Sequence, residues 1–120
     1  MSVFGNLLSI FRRQSADLTE PSWEEVLASA DEQQSAAGYW REVTAALRAN
    51  RTLEPVHNHA VLRLVVAYIV CDRASAAVMR SGAPVDVQAW EVQARASQLA
   101  SQIEGELGLS PRRHDRGFPL

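Results

Sequence analysis

At 120 residues the chain has room for one core but not two. Its 47% hydrophobic fraction is rich in alanine, with only six glycines and five prolines, which favours helices over sheets. Twelve arginines, with no lysine, face fourteen acidic residues for a formal charge of -2; that balance argues against a protein that coats nucleic acid with its whole surface, because such binding grows with the number of phosphates neutralised.

Residues 1 to 13 place Phe4, Leu7, Leu8 and Phe11 on one side of a short amphipathic helix. The arginines of this stretch, Arg12 and Arg13, follow the apolar part, unlike a secretory signal. The polar segment RQSADLTEPS comes next and reads as a linker. The apolar stripe then has two readings, packing back on the domain or docking into a partner's groove. The expected organisation is an N-terminal segment and linker over 1–19, a helical domain over 20–109 and a basic tail over 110–120.

Ser22 and Glu25 stand in capping-box positions for a first helix running to about residue 30. After the polar DEQQS, a second helix carries Ala36, Tyr39, Trp40, Val43 and Leu47 on one face and ends near Asn50. Residues 20 to 54 hold seven acidic and three basic side chains, the acidic region of the molecule.

Pro55 suits the first position of a third helix, where an amide would be unpaired anyway. From Ala60 to Cys71 only Arg63 is polar. A helix so apolar cannot hide its surface against one neighbour, so it is either the centre of the fold or covered by another copy of the chain. Its run LVVAYIVC is eight residues, far short of the ~20 that span a bilayer, and no membrane partner is expected. Cys71 is the lone cysteine and reads as a buried, reduced thiol in a cytosolic protein. SGAP at 81–84 stops the helix, with Gly82 as terminator.

Asp86 caps a fourth helix in which Val92, Ala96, Leu99, Ile103 and Leu107 recur at near-heptad spacing. With only a short turn between them, the third and fourth helices are predicted to form a long antiparallel hairpin, the frame of an all-α domain. Leu64, Val65, Tyr68 and Ile69 on the third helix, with Val92, Ala96, Leu99 and Ile103 on the fourth, are the candidate oligomer interface.

Local patterns for catalysis are missing. There is no G-x-S-x-G, glycine-rich phosphate loop or H-E-x-x-H. The rings of His57-x-His59 would point about 200° apart on a helix, awkward for one metal ion. Glu24-Glu25 and Asp31-Glu32 read as solvated helix-start charges favoured by the helix dipole. No catalytic residue, metal or cofactor is expected. Arg73 and Arg80, seven residues apart, share a face and either line a surface that touches nucleic acid or pair with Asp72, Glu91 or a neighbour's carboxylates. The end ELGLSPRRHDRGF reads as a helix stop at Gly108 followed by a basic cluster, Arg112, Arg113 and Arg116.

Three pieces of the chain resemble the helix-hairpin family of phage terminase small subunits. They are Tyr39-Trp40-Arg41-Glu42-Val43 with Leu47, the apolar run from Val61 to Val78, and Leu107-Gly108-Leu109-Ser110-Pro111-Arg112-Arg113 with Arg116. The resemblance covers roughly residues 36 to 117, and its most specific piece is the LGLSP junction with arginines after it. It implies a non-catalytic subunit of a DNA-packaging motor in the cytoplasm of a bacterial host, assembled as a homo-oligomeric ring and partnered by the large terminase, which holds the ATPase and nuclease. Many small terminases carry an N-terminal helix-turn-helix; here only Arg12 and Arg13 precede the first acidic helix. The short acidic form is similar to the small terminases of gene transfer agents, and implies weak, nonspecific contact with double-stranded DNA. Arg112, Arg113, Arg116, Arg73, Arg80, Arg12 and Arg13 are the residues for DNA or the large subunit. The other reading is a small dimeric helical transcriptional regulator, which would need a recognition helix presenting polar side chains to a major groove.

Overall fold

A computed structural model describes residues 18–82, 84 and 86–111. They form a short helix α1 (Trp23–Val26), a long helix α2 (Ala30–Ala49), a 3-10 turn (Pro55–His57), and two further long helices, α3 (Asn58–Ser81) and α4 (Val87–Glu106). Among the described residues there is no strand, and the fold is all-helical. The predicted hairpin is present: α3 and α4 make the most extensive packing in the molecule, and α2 lies against α3.

Two helix starts differ from the sequence reading. Ser22 precedes α1 but its side chain makes no capping bond, and α1 stops after four residues. The polar DEQQS, expected before the second helix, is instead its first turns, because Ser29 Oγ accepts from the Glu32 amide (3.4 Å) and starts the helix six residues early. Asp31 and Glu32 then sit in the first turn, where carboxylates are favoured by the helix dipole. At α4 the expected cap holds: Asp86 Oδ1 accepts from the Ala89 amide at 3.0 Å.

The two long helices that must stop inside the body use one device. At the end of α4 the Leu109 amide donates to Glu104 O (2.8 Å) and the Gly108 amide to Gly105 O (3.2 Å), with Gly108 at φ +70°. This is a Schellman cap, and Leu109 packs on the core as its apolar partner. At the end of α2 the Thr52 amide donates to Leu47 O (2.9 Å) and the Arg51 amide to Arg48 O (3.1 Å). There the left-handed position is filled by Arg51 at φ 58°, which glycine would adopt at lower cost.

The core explains the excess of apolar residues on α3. Val61, Leu64, Val65, Tyr68 and Ile69 are all buried within one chain, together with Trp23, Trp40, Val43 and Leu47 from α1 and α2 and Ala100, Ile103 and Leu107 from α4. Of the two readings, centre of the fold accounts for these positions, because α3 is covered by α2 on one side and α4 on another. Trp23 and Trp40 meet edge to face at 6.0 Å, fixing α1 on α2. Ala100 is fully buried, and its small side chain lets α4 approach α3 closely. Among the described residues no helix is long and apolar enough to cross a membrane.

Candidate functional site

The near-heptad seam of α4 is split by the fold. Ala96, Ile103 and Leu107 are buried, but Val92 and Leu99 remain 43% and 37% exposed. The buried face is centred on Ala96, Ala100, Ile103 and Glu104. Leu64, Val65, Tyr68, Ile69, Ala96 and Ile103, also named for the expected oligomer contact, are buried. Each is under one-tenth exposed in the single chain, with its side chain spent on the chain's own packing.

What that packing leaves open is a groove. Leu62, Val66 and Val70 of α3, spaced one turn apart, form one wall; Val92 and Leu99 of α4 form the other, with Val26 of α1 at the margin. It holds about 520 Å³ and its lining is almost wholly apolar, with Arg63 and Arg95 at the rim. The geometry follows from helical periodicity. Tyr68 faces α2, where its ring lies 5.0 Å from that of Tyr39, and Val66, two residues earlier, points roughly 160° away. The same helix thus buries one face against α2 and exposes an apolar face on the far side.

Polar side chains hold the closed side. The Tyr68 hydroxyl donates to Glu104 Oε2 at 2.6 Å in the buried α3–α4 contact. Further along, Cys71 Sγ lies 3.3 Å from Ser97 Oγ, to which Gln93 Nε2 donates at 3.2 Å. Cys71 is a buried free thiol in this network. Between α2 and α3, the Tyr39 hydroxyl donates to Asp72 Oδ2. Arg73 Nε and Nη2 donate to the two oxygens of Glu32, each at 2.8 Å.

In this last pair Arg73 has a partner within its own chain. The forked guanidinium is occupied by Glu32, a partner 41 residues away in sequence rather than Asp72 or Glu91. Its hydrogen bonds and charge hold the Glu32 carboxyl below its ordinary range, and Glu32 in turn raises Arg73. Arg80 is exposed near the hairpin tip, so the two arginines do not form one free stripe. The tip also exposes Met79 (65%), Val87 (65%) and Trp90 (45%). His57 is half-buried and His59 exposed, and among the described residues no three metal-ligating side chains come together.

Arg12, Arg13, Arg112, Arg113, Arg116, and the stripe Phe4, Leu7, Leu8 and Phe11, lie outside the described residues. The body ends at Ser110 and Pro111 beside a second, more polar hollow of about 390 Å³ lined by Glu42, Ala46, Asn50, Tyr68 and Leu109. The last described residues therefore lie beside the C-terminal half of α2. The groove residues Leu62, Val66, Val70, Arg63 and Arg95 escaped the sequence reading. Their signal was present in the all-round apolarity of α3, but periodicity could not say which side α2 and α4 would leave uncovered.

The aromatic pair on α2, the apolar α3 and the Schellman-capped LGLSP junction stand in order along one hairpin-based body. A family model described as phage terminase, small subunit, matches residues 36–117. The chain belongs to the phage terminase small-subunit family. That match begins inside α2 and takes in the whole hairpin and most of the basic tail. Comparison with curated proteins and with solved structures finds no match. Membership places the chain in phage DNA packaging.

Proposed function

We propose that the chain is a non-catalytic, homo-oligomeric adaptor of the packaging motor, which recruits or regulates the large terminase ATPase and nuclease and touches double-stranded DNA weakly and without sequence preference. The observation that carries this reading is the family match over 36–117, and the surface chemistry supports its details. An apolar groove with exposed walls is what a subunit that assembles would present. Glu24, Glu25 and Asp31 are exposed around α1 and the start of α2, so that end repels phosphates. Contact with DNA falls to scattered arginines, Arg80 on the hairpin tip, Arg12 and Arg13 before the body and Arg112, Arg113 and Arg116 after it. So few charges per chain bind weakly and become useful when copies are multiplied in a ring. Arg112, Arg113 and Arg116 serve the large subunit ahead of DNA. Assembly and packaging take place in the cytoplasm of a bacterial host.

Light scattering tests the assembly: a particle several times the 13.2 kDa chain mass is expected, and a strict monomer at high concentration overturns the adaptor reading. Removal of residues 110–120 is expected to preserve the particle and impair capture of the large subunit. If the particle dissolves instead, the tail is structural and its assignment fails.

A further inference from the structure

We infer that the outer face of α2, with Arg41, Arg48 and Arg51, is where the body of the protein lies against the phosphates of double-stranded DNA. The inference rests on the DNA contact in the reading above and gives it a site made of described residues.

Helical periodicity assembles the face. Arg41 and Arg48, seven residues apart, share one side of α2, with Gln34, Gly38 and Ala45 as their neighbours on that side. Both arginines are exposed, and Arg51 is exposed just past the helix end. Arg41 to Arg48 spans roughly 10.5 Å along the axis, or about three charges of one DNA strand at roughly 3.4 Å each. Glu42 is turned about 100° from Arg41 and lines the polar hollow instead. Asp31 lies roughly 15 Å back along the helix.

Two residues of this region cost the fold something without a packing return. Gly38 stands inside a helix of 20 residues, where alanine is more stable, yet a Cβ placed on it would meet nothing within 4 Å. No contact in the described chain requires the glycine, and its bare backbone admits a close approach from outside. Arg51 holds a left-handed conformation, φ 58°, that glycine or asparagine takes at lower cost. Backbone cost of this kind clusters at functional positions. Arg73 is held by Glu32, but among the described residues neither Arg41 nor Arg51 has an ion pair.

The chemistry favours DNA over a protein partner. Gln34, Gly38, Arg41, Ala45 and Arg48 include no apolar side chain larger than alanine, so a protein docked there would bury little hydrocarbon. Phosphate binding needs no such area, because neutralising each charge releases counterions. Contacts of this type position the duplex without reading bases, in keeping with binding that has no sequence preference.

The test uses full-length protein and fluorescence anisotropy with a labelled duplex of arbitrary sequence across a salt series. Arg41→Gln and Arg51→Gly together are expected to reduce the slope of log affinity against log salt by about 1.8, at about 0.9 per lost phosphate contact, and to weaken binding more than about tenfold near 0.1 M salt. Arg51→Gly relieves the left-handed arginine, so its lost binding is not unfolding, and Arg51→Lys is expected to keep the wild-type slope. Gly38→Leu changes no charge and suits a helix, and is expected to weaken binding several-fold by holding the duplex off the backbone. A wild type that binds no duplex at low salt removes DNA contact from the reading above and this inference with it. A wild type that binds, with a double variant that keeps its slope, overturns the inference alone. So does a double variant that loses large-subunit capture or light-scattering mass while its DNA binding is unchanged, because the face then serves a protein.

Discussion

Two faces of α3 carry similar residues and meet different fates. On one side Leu64, Val65, Tyr68 and Ile69 are closed by α2 and α4; on the other Leu62, Val66 and Val70 line an open groove. Leucine and valine stand on both. The difference comes from the number of helices available: the other two long helices close two sides of the central one, and the third side stays open. In this molecule burial inside the chain stabilises the fold, while the same chemistry is left exposed in the groove.

The largest expected contrast is between these faces. Leu64→Ala opens a cavity in a fully closed site and is expected to cost about 2–5 kcal/mol in denaturant unfolding, whereas Val66→Ser should change the chain's own stability by about 0.5 kcal/mol or less. Equal losses at both positions would show that the groove wall is part of the core. A smaller effect is expected at the polar fastening on the closed side. Tyr68→Phe removes the donor to buried Glu104 and should cost about 1–3 kcal/mol by the same measurement.

The helix ends separate next. Arg51→Gly relieves a left-handed arginine and is expected to stabilise by up to about 1 kcal/mol, while Gly108→Ala, at φ +70° with open space around it, should destabilise by about the same amount. Thermal melts of the two variants should therefore move in opposite directions.

The smallest effect belongs to the Glu32–Arg73 pair, half open to water. Because the folded carboxyl lies below its unfolded value, its stabilisation is present above the unfolded pKa and is lost as pH falls through the depressed folded one. Exposure limits it to about 0.2–1 kcal/mol. Glu32→Gln should flatten that part of the acid side of the stability profile, and added salt should shrink the difference between variant and wild type.

Several parts of the fold were legible in the residues. The helical class followed from alanine content and the scarcity of breakers, the hairpin from SGAP between two long periodic runs, and the cap of α4 from Asp86. The family was legible too, because the Tyr39-Trp40 pair, the apolar run and LGLSP are local patterns whose order survives without coordinates. Helix starts were less secure: Ser29 and Ser22 are equally plausible caps by type, and only the backbone made one of them accept a bond. Arg73 shows the same limit for charge, since a partner 41 residues away leaves no mark in local spacing.

The sequence by itself determined that this chain is a helical hairpin with more apolar surface on its central helix than one neighbour can cover. Only the tertiary structure decided which part of that surface closes internally and which stays open. Periodicity records that a side chain lies on an apolar face, but the direction from which another helix arrives depends on contacts between residues far apart in the chain. Those contacts turned Leu64 and Ile103 into core, left Val66 and Leu99 as groove, and bound Arg73 to Glu32.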